Sequence, residues 1–229
     1  MRFKKLLLKI AGKGNFELDK DIPFSYIIRL CAKYGTMAIR GKLLAIGYKD
    51  ISNSIFVGKK TKIYCKKNIS IGFKSKIHND VKIDALSLNG VVIGKHCVIG
   101  ERTRIECTGS LEKLGKGVVI GDRTSFGSDC YFGAAGGIEI GNDVVAGQYI
   151  RFHSENHNYD NLNILIREQG VNHKGIKVGN NCWIGAGVVF LDGAEIGDGC
   201  VVAANAVVTG KIPSNVVVGG IPAKILKNR

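Results

Sequence analysis

His153 and His157 stand four residues apart in a polar stretch, with Ser154-Glu155-Asn156 between them and Asn158-Tyr159-Asp160 after. An imidazole is the side chain best suited to accept or donate a proton near neutral pH. A neutral ring acting as base presents one nitrogen as acceptor, so a partner should hold the proton on the other. Glu155, Asp160 and Asp143 are the carboxylates nearby in sequence, and a backbone carbonyl would serve as well. Two histidines at this spacing can also grip zinc, but they share a face only on a helix. Ser154, Asn156, Asn158 and Asp160 do not read as one, so no metal is expected.

The element that must carry these side chains is announced by a period. Val178, Ile184, Phe190, Ile196, Val202 and Val208 recur every sixth residue, with glycine following Val178, Ile184 and Ile196. This is the hexapeptide beat of a parallel β-helix, an all-β prism in which three repeats close one coil. Val178 should therefore stack on Ile196 and Ile184 on Val202. The glycines and asparagines after the inward residues are expected to take corners that need positive φ. The beat recurs at Ile71/Ile77/Ile83, Ile93/Ile99/Ile105, Ile120/Phe126/Phe132 and Ile140/Ala146/Phe152, with a looser start at Val57, Ile63 and Ile69. About seven coils result, or roughly 34 Å of prism at the ~4.8 Å spacing of stacked strands. The longest slip of phase is His153–Lys177, and loops leaving a rigid scaffold are where function is carried.

The 229 residues fit one sizeable domain with a small appendage: an N-terminal basic and helical segment over 1–50, then the prism over 51–229, with its inserted loop at 153–177 and a tail at 212–229. Within the first segment Asp21–Tyr34 is predicted as a short helix, with Asp21 as cap, Pro23 in the first turn and Gly35 as stop. The net charge of +14 is crowded toward the N-terminus, with Arg2, Lys4, Lys5, Lys9 and Lys13 ahead of the helix and Lys49 after it. The excess points to an anionic neighbour, such as cofactor phosphates or a lipid surface. No basic helix with base-reading spacing, zinc finger or interleaved aromatic platform supports nucleic acid. The run of three leucines from Leu6 is too short for a signal peptide or a spanning helix. Cys97, Cys130, Cys182 and Cys200 each follow an inward residue by four positions, so the seven cysteines read as packed, reduced thiols of a cytoplasmic protein.

With His153–Asp160, Ile176–Ala186 containing Asn180-Asn181-Cys182-Trp183-Ile184-Gly185, and the tail Gly219-Gly220-Ile221-Pro222-Ala223-Lys224 in place, the chain from about Phe56 onward resembles the hexapeptide-repeat (left-handed parallel β-helix) acyltransferases. It looks most like those that O-acetylate bacterial surface polysaccharides, with galactoside and maltose acetyltransferases as relatives. The resemblance implies an acetyl-coenzyme A-dependent enzyme and a sugar or glycan acceptor. His157 would be the general base, with His153 as its rival. Trp183 would line the groove near the acetyl group, although it also reads as a surface clamp on the neighbouring coil. Ala186 and Ala204 would lie along the pantetheine arm, and Thr209, Gly210, Lys211, Lys224 and Lys227 would fall at or beside the adenine and phosphate contacts. The match departs from the galactoside branch where Thr209-Gly210-Lys211 replaces Thr-Lys, and where an acceptor-binding asparagine falls near Gly127.

The reduced thiols point to a cytoplasmic location, and the basic N-terminal segment to peripheral contact with the inner face of the membrane. The same resemblance implies a homotrimer with sites between neighbours. The readings set beside it are an amino-sugar N-acetyltransferase, a metal-dependent lyase of the carbonic anhydrase kind, for which His173 is poorly placed to join His153 and His157, and a non-enzymatic structural β-helix.

Overall fold

The computed structural model of the protein describes residues 19–48 and 50–229. Arg2, Lys4, Lys5, Lys9, Lys13 and Lys49, the basic residues read above from the sequence, lie outside the described residues.

From Phe56 onward, strands of two to five residues succeed one another around three sheets of nine, seven and seven strands. Sheet 1 runs from Phe56–Val57 to Val216–Gly219 and ends on the antiparallel strand Lys224–Asn228. Sheet 2 runs from Lys62–Tyr64 to Val207–Val208, and sheet 3 from Ile69–Ile71 to Lys211–Ile212. The architecture is the left-handed parallel β-helix; among the described residues it is all β apart from one long helix and two single 3-10 turns.

The six-residue period becomes three buried columns. On sheet 3, Ile140 pairs with Val178 and Val178 with Ile196; on sheet 1, Ile184 pairs with Val202. On sheet 2 the column thickens to aromatics: Phe132, Phe152 and Phe190 are fully buried and stack with centroids 4.8 Å apart at each step. A side chain on a two-residue strand is held by its neighbours above and below. Burying such a column supplies roughly 1.5–3 kcal/mol for each large aliphatic or aromatic residue.

The corners meet the sequence expectation in part: Asn181 and Asn205, with Gly187, Gly193 and Gly199, take positive φ, but so do residues of other types. Positive φ falls on the third residue after the inward position, as at Lys74, Asp80, His96, Arg102, Tyr149 and Asn181, and not on the glycine that immediately follows it. Those glycines answer another need. A Cβ on Gly72 would sit 2.6 Å from the backbone carbon of Gly94, and one on Gly100 would sit 2.1 Å from the carbonyl oxygen of Gly127. Coils approach one another too closely there for any side chain.

A ladder reinforces the corner between sheets 3 and 1. The side-chain oxygen of Asp122 accepts the Lys95 N–H at 2.7 Å, Asn142 accepts that of Asp122 at 2.8 Å, Asn180 that of Asn142 at 2.8 Å, and Asp198 that of Asn180 at 2.6 Å. The cysteine position also packs as expected: Cys97, Cys130, Cys182 and Cys200 are buried and unpaired, as is Cys107. Burial pushes the Cys107 thiol up to about 12 and that of Cys130 to about 11.

The helix is longer than its sequence signals suggest. It spans Phe24–Ala45, has Pro23 at its N-cap without a side-chain cap bond, and runs through Gly35, where an added Cβ would meet nothing within 4 Å. Asp21 therefore does not cap it, and Gly35 does not stop it. What extends the helix is tertiary packing. Met37 and Gly41 are buried, a Cβ on Gly41 would lie 2.0 Å from the carbonyl oxygen of Ile55, and Arg40 donates to the Val57 carbonyl at 3.3 Å. Leu44 and Ala45 then pack against the hydrophobic core.

Candidate active site

The chain leaves the prism after the sheet 2 strand Arg151–His153 and rejoins it at the sheet 3 strand Ile176–Val178. Buried polar side chains pin both ends. Ser154 donates from Oγ to the Gly133 carbonyl at 2.8 Å and accepts the Gly136 N–H at 2.9 Å. Asp192 accepts the N–H groups of Lys174 and Gly175 at 2.9 and 2.8 Å. Removing the Ser154 hydroxyl would leave the buried Gly136 amide unsatisfied, at about 1–3 kcal/mol.

Between the pins, Asn156–His157 and Val171–Asn172 form an antiparallel ribbon with His157 opposite Val171. Asn158 ties its limbs, donating to the Gln169 carbonyl at 2.9 Å and accepting from Asn172 Nδ2 at 2.7 Å. Gln169 in turn donates to the carbonyls of Asn161 and Ile164, both at 2.8 Å. A further tie crosses from limb to limb: His173 Nε2 lies 2.8 Å from Glu155 Oε2, with the histidine side chain only 10% exposed. Glu155 is thus engaged by His173, and Asp143 is held by Arg123 in a two-point ion pair at 2.6 and 2.7 Å. Among the described residues no side-chain hydrogen bond joins Glu155, Asp143 or Asp160 to His157. The group that would orient the ring is not one of these three carboxylates in this chain alone.

His153, Glu155 and His157 line one cavity of about 420 Å³, together with Glu106, Thr108 and Tyr131. His153 stands on the outward side of its strand in register with Gly133, where an added Cβ would lie 3.0 Å from the Tyr131 ring. The Tyr131 ring is 5.6 Å from that of His153, and partial burial, with Arg151 adding to it, holds the His153 pKa below the ordinary histidine value. Across the cavity Glu106 receives Lys82 at 3.0 Å and the Tyr131 hydroxyl at 3.4 Å. Burial and Glu106 raise the Tyr131 pKa, so its hydroxyl stays protonated.

The remaining candidates lie elsewhere on the prism. Trp183 is 60% exposed on sheet 1, between Val145 and Val201. Ala186 and Ala204 follow at the next corner, stacked one coil apart, with the Ala186 carbonyl accepting the Asn205 N–H at 2.9 Å. Lys224 and Lys227 lie on the final strand, where Lys227 pairs with Val217, the residue that continues the Trp183–Val201 column. Thr209 and Gly210 are exposed beyond the last strand of sheet 2, and nothing lies within 4 Å of where a Gly210 side chain would begin. Lys211 faces out from sheet 3 instead, 2.9 Å from Glu195. Gly127 is a packing glycine, since a Cβ there would lie only 2.6 Å from the Gln148 nitrogen. The histidine cavity and the Trp183–Lys227 column therefore occupy different sides of one prism. Sequence reasoning missed Ser154, Asp192, His173, Glu106 and Tyr131 as parts of the site. A buried serine or aspartate beside a phase slip was the available signal for the first two.

Two segments match hexapeptide families: residues 175–210 match "Bacterial transferase hexapeptide (six repeats)", and residues 117–148 match "Hexapeptide repeat of succinyl-transferase". WcaF of Escherichia coli, named as an acetyltransferase of colanic acid biosynthesis, is 31% identical over 144 residues, 63% of this chain and 72% of WcaF. A Mycobacterium tuberculosis protein named as an acetyltransferase is 34% identical over 138 residues, 60% of this chain and 44% of that protein. WbbJ of Escherichia coli, named for lipopolysaccharide biosynthesis O-acetyl transfer, is 30% identical over 51% of this chain and 64% of its own length. The chain thus spans less than two thirds of those last two relatives. Among solved structures, the N-acyltransferase AntD of Bacillus cereus, bound to dTDP and coenzyme A, shares the fold with a TM-score of 0.55 at 18% identity, over 82% of this chain and 88% of AntD. A prism of hexapeptide coils carrying a histidine loop defines the class of protein. The chain belongs to the hexapeptide-repeat acyltransferase family.

Proposed function

We propose that the protein transfers an acetyl group from acetyl-coenzyme A to a sugar hydroxyl of a surface polysaccharide or its precursor, with His157 as general base. The observation that carries this is the cavity in which His153, His157 and Tyr131 converge beneath a loop pinned at both ends. The names of WcaF and WbbJ support the polysaccharide acceptor.

In the proposed reaction a neutral His157 removes the proton of the acceptor hydroxyl as the oxygen attacks the thioester carbonyl. The tetrahedral intermediate collapses with cleavage of the C–S bond, and the imidazolium returns its proton to the departing thiolate. Acetyl ester and free coenzyme A result, with no acyl-enzyme. Glu106 and Glu155 are already engaged by Lys82 and His173, so the cavity wall is not set to hold an ammonium ion, and this favours a hydroxyl over an amino-sugar nitrogen.

Acetyl-coenzyme A is assigned to the Trp183–Lys227 side, with Ala186 and Ala204 along the pantetheine arm and Thr209, Gly210, Lys224 and Lys227 toward its nucleotide end. Lys211 would reach it only by leaving Glu195. Because that side and the histidine cavity are apart in one prism, a complete site needs two copies. A homotrimer supplies it, each His157 facing a neighbour's coenzyme. The proposed location is the cytoplasm, at the inner face of the membrane where glycan precursors are assembled.

The decisive experiment follows thiol release from acetyl-coenzyme A with a panel of neutral, amino, nucleotide-linked and oligomeric sugars. Release that requires a sugar hydroxyl and is abolished by His157→Ala is expected. Release with amino sugars alone would move the reading to N-acetylation, and no release with any acyl donor and acceptor would remove it.

A further inference from the structure

The helix Phe24–Ala45 has two apolar faces and covers only one. Ile27, Met37 and Gly41 are buried, with Leu44 and Ala45 against the core. On the opposite side Ile28, Ile39, Leu43 and Ile46 are between 51% and 70% exposed, and Ala32 and Gly35, also exposed, fall between them along the same stripe. At 3.6 residues per turn these positions form a band along a helix about 33 Å long. A band of this kind is not a helix solvated on its free side.

Its surroundings are cationic. Between Ile22 and Lys76 the sequence holds twelve lysines and arginines and a single acid, Asp50. The described members of this set lie on the helix and on the first coils, at one end of the prism. Lys33 Nζ lies 3.7 Å from Glu101, Arg40 reaches Val57, and Leu44 lines one cavity with Lys62 and Lys66. Lys59, Lys60, Lys62 and Lys67 are exposed on the first coil, and Lys42 stands within the apolar band itself. Among the described residues no helix is long and apolar enough to cross a membrane.

We propose that this end of the molecule is a docking surface for an anionic lipid bilayer: the Ile28–Ile46 band enters the headgroup boundary while the lysines of the helix and first coil meet lipid phosphates. A soluble polyanion would use the lysines and leave the band in water. A bilayer satisfies both, and the joint presence of band and charge selects it. The inference does not rest on acetyl transfer, and it can hold or fail whatever the acceptor is.

The test is co-sedimentation of the full chain with vesicles of equal parts phosphatidylglycerol and phosphatidylcholine, and with pure phosphatidylcholine, at physiological salt. Wild type should bind the anionic vesicles alone. The double substitution Ile39→Glu, Leu43→Glu should weaken that binding tenfold or more. The triple substitution Lys42→Glu, Lys59→Glu, Lys62→Glu should do at least the same, since each basic residue at an anionic surface contributes roughly fivefold. Circular dichroism and sedimentation velocity should be unchanged in both. Equal binding to the two vesicle types, or no binding, would overturn the proposal. Vesicle binding untouched by I39E/L43E, with dextran sulfate competing fully, would make the contact a polyanion site. Loss of assembly in I39E/L43E would make the band an interface between copies. Should that variant fail to fold, Leu43→Trp keeps the band apolar: its emission must shift to the blue on anionic vesicles beyond any change of Trp183, and an unshifted spectrum sinks the idea.

Discussion

Two histidines share one cavity, and their surroundings divide their roles. His157 sits on the ribbon and His153 on the prism wall, where partial burial holds its pKa below the ordinary histidine value. His157→Ala should lower turnover about 10²–10⁴-fold with coenzyme affinity near wild type, the ordinary consequence of losing a general base. His153→Ala should act mainly on the acceptor KM, and a reversal of the two effects would move the base to His153. The spacing of His153 and His157 is visible in the sequence, but the Glu155–His173 contact is not, because eighteen residues of loop must fold back before the two meet. The buried thiols make a separate prediction. Their pKa values are raised above those of the unfolded chain, so the folded state holds protons that the unfolded state loses. Stability is therefore full below the unfolded thiol value and falls as pH rises from about 9 toward the folded values near 11 and 12. Thermal unfolding followed through that alkaline range should show the decline, and Cys107→Ala should make it shallower.

At the scale of elements, glycines that look alike in sequence do opposite things. Gly100→Ala forces a Cβ into the Gly127 carbonyl and should destabilise by at least the ~1–3 kcal/mol of an overpacked site. Gly35→Ala fills open space on a helix and should stabilise by up to about 1 kcal/mol. Chemical denaturation of the two variants checks the pair. The same contrast explains what the chain discloses to inspection. The inward columns are legible because a period of six repeated through most of the prism leaves no other solution. The corners are not, because Lys74, Arg102 and Tyr149 adopt positive φ without any glycine to mark it. The helix end is misread at Gly35 because propensity is a local signal, whereas Gly41 is selected by the backbone of Ile55, fourteen residues away.

At the scale of the whole molecule, the separation of the histidine cavity from the Trp183–Lys227 column predicts behaviour that no single prism can show. A mixture of His157→Ala subunits with Lys224→Ala, Lys227→Ala subunits, co-refolded, should recover activity absent from the first and weakened in the second. Recovery no greater than the sum of the parents would place both halves of the site in one chain. Alone, the double lysine variant should raise KM for acetyl-coenzyme A, with added salt reproducing the effect in wild type.

The pairing of Val178 with Ile196 and of Ile184 with Val202 also makes the molecule a counting device. Eighteen residues return the chain to the same sheet one coil higher, and six carry it one sheet onward. Length changes in the coils are therefore rotations. Excising one whole coil between Val178 and Val208 would shorten the prism by about 4.8 Å and leave every later residue facing as before. Excising a single hexapeptide would turn everything downstream by about a third of a revolution, carrying Lys224 and Lys227 away from the face that bears Trp183 while leaving each inward residue inward. Such a chain could keep its core and lose its alignment. In this architecture the direction a side chain faces is stored as a residue count, and a deletion can be silent for folding while it re-addresses the whole C-terminal end.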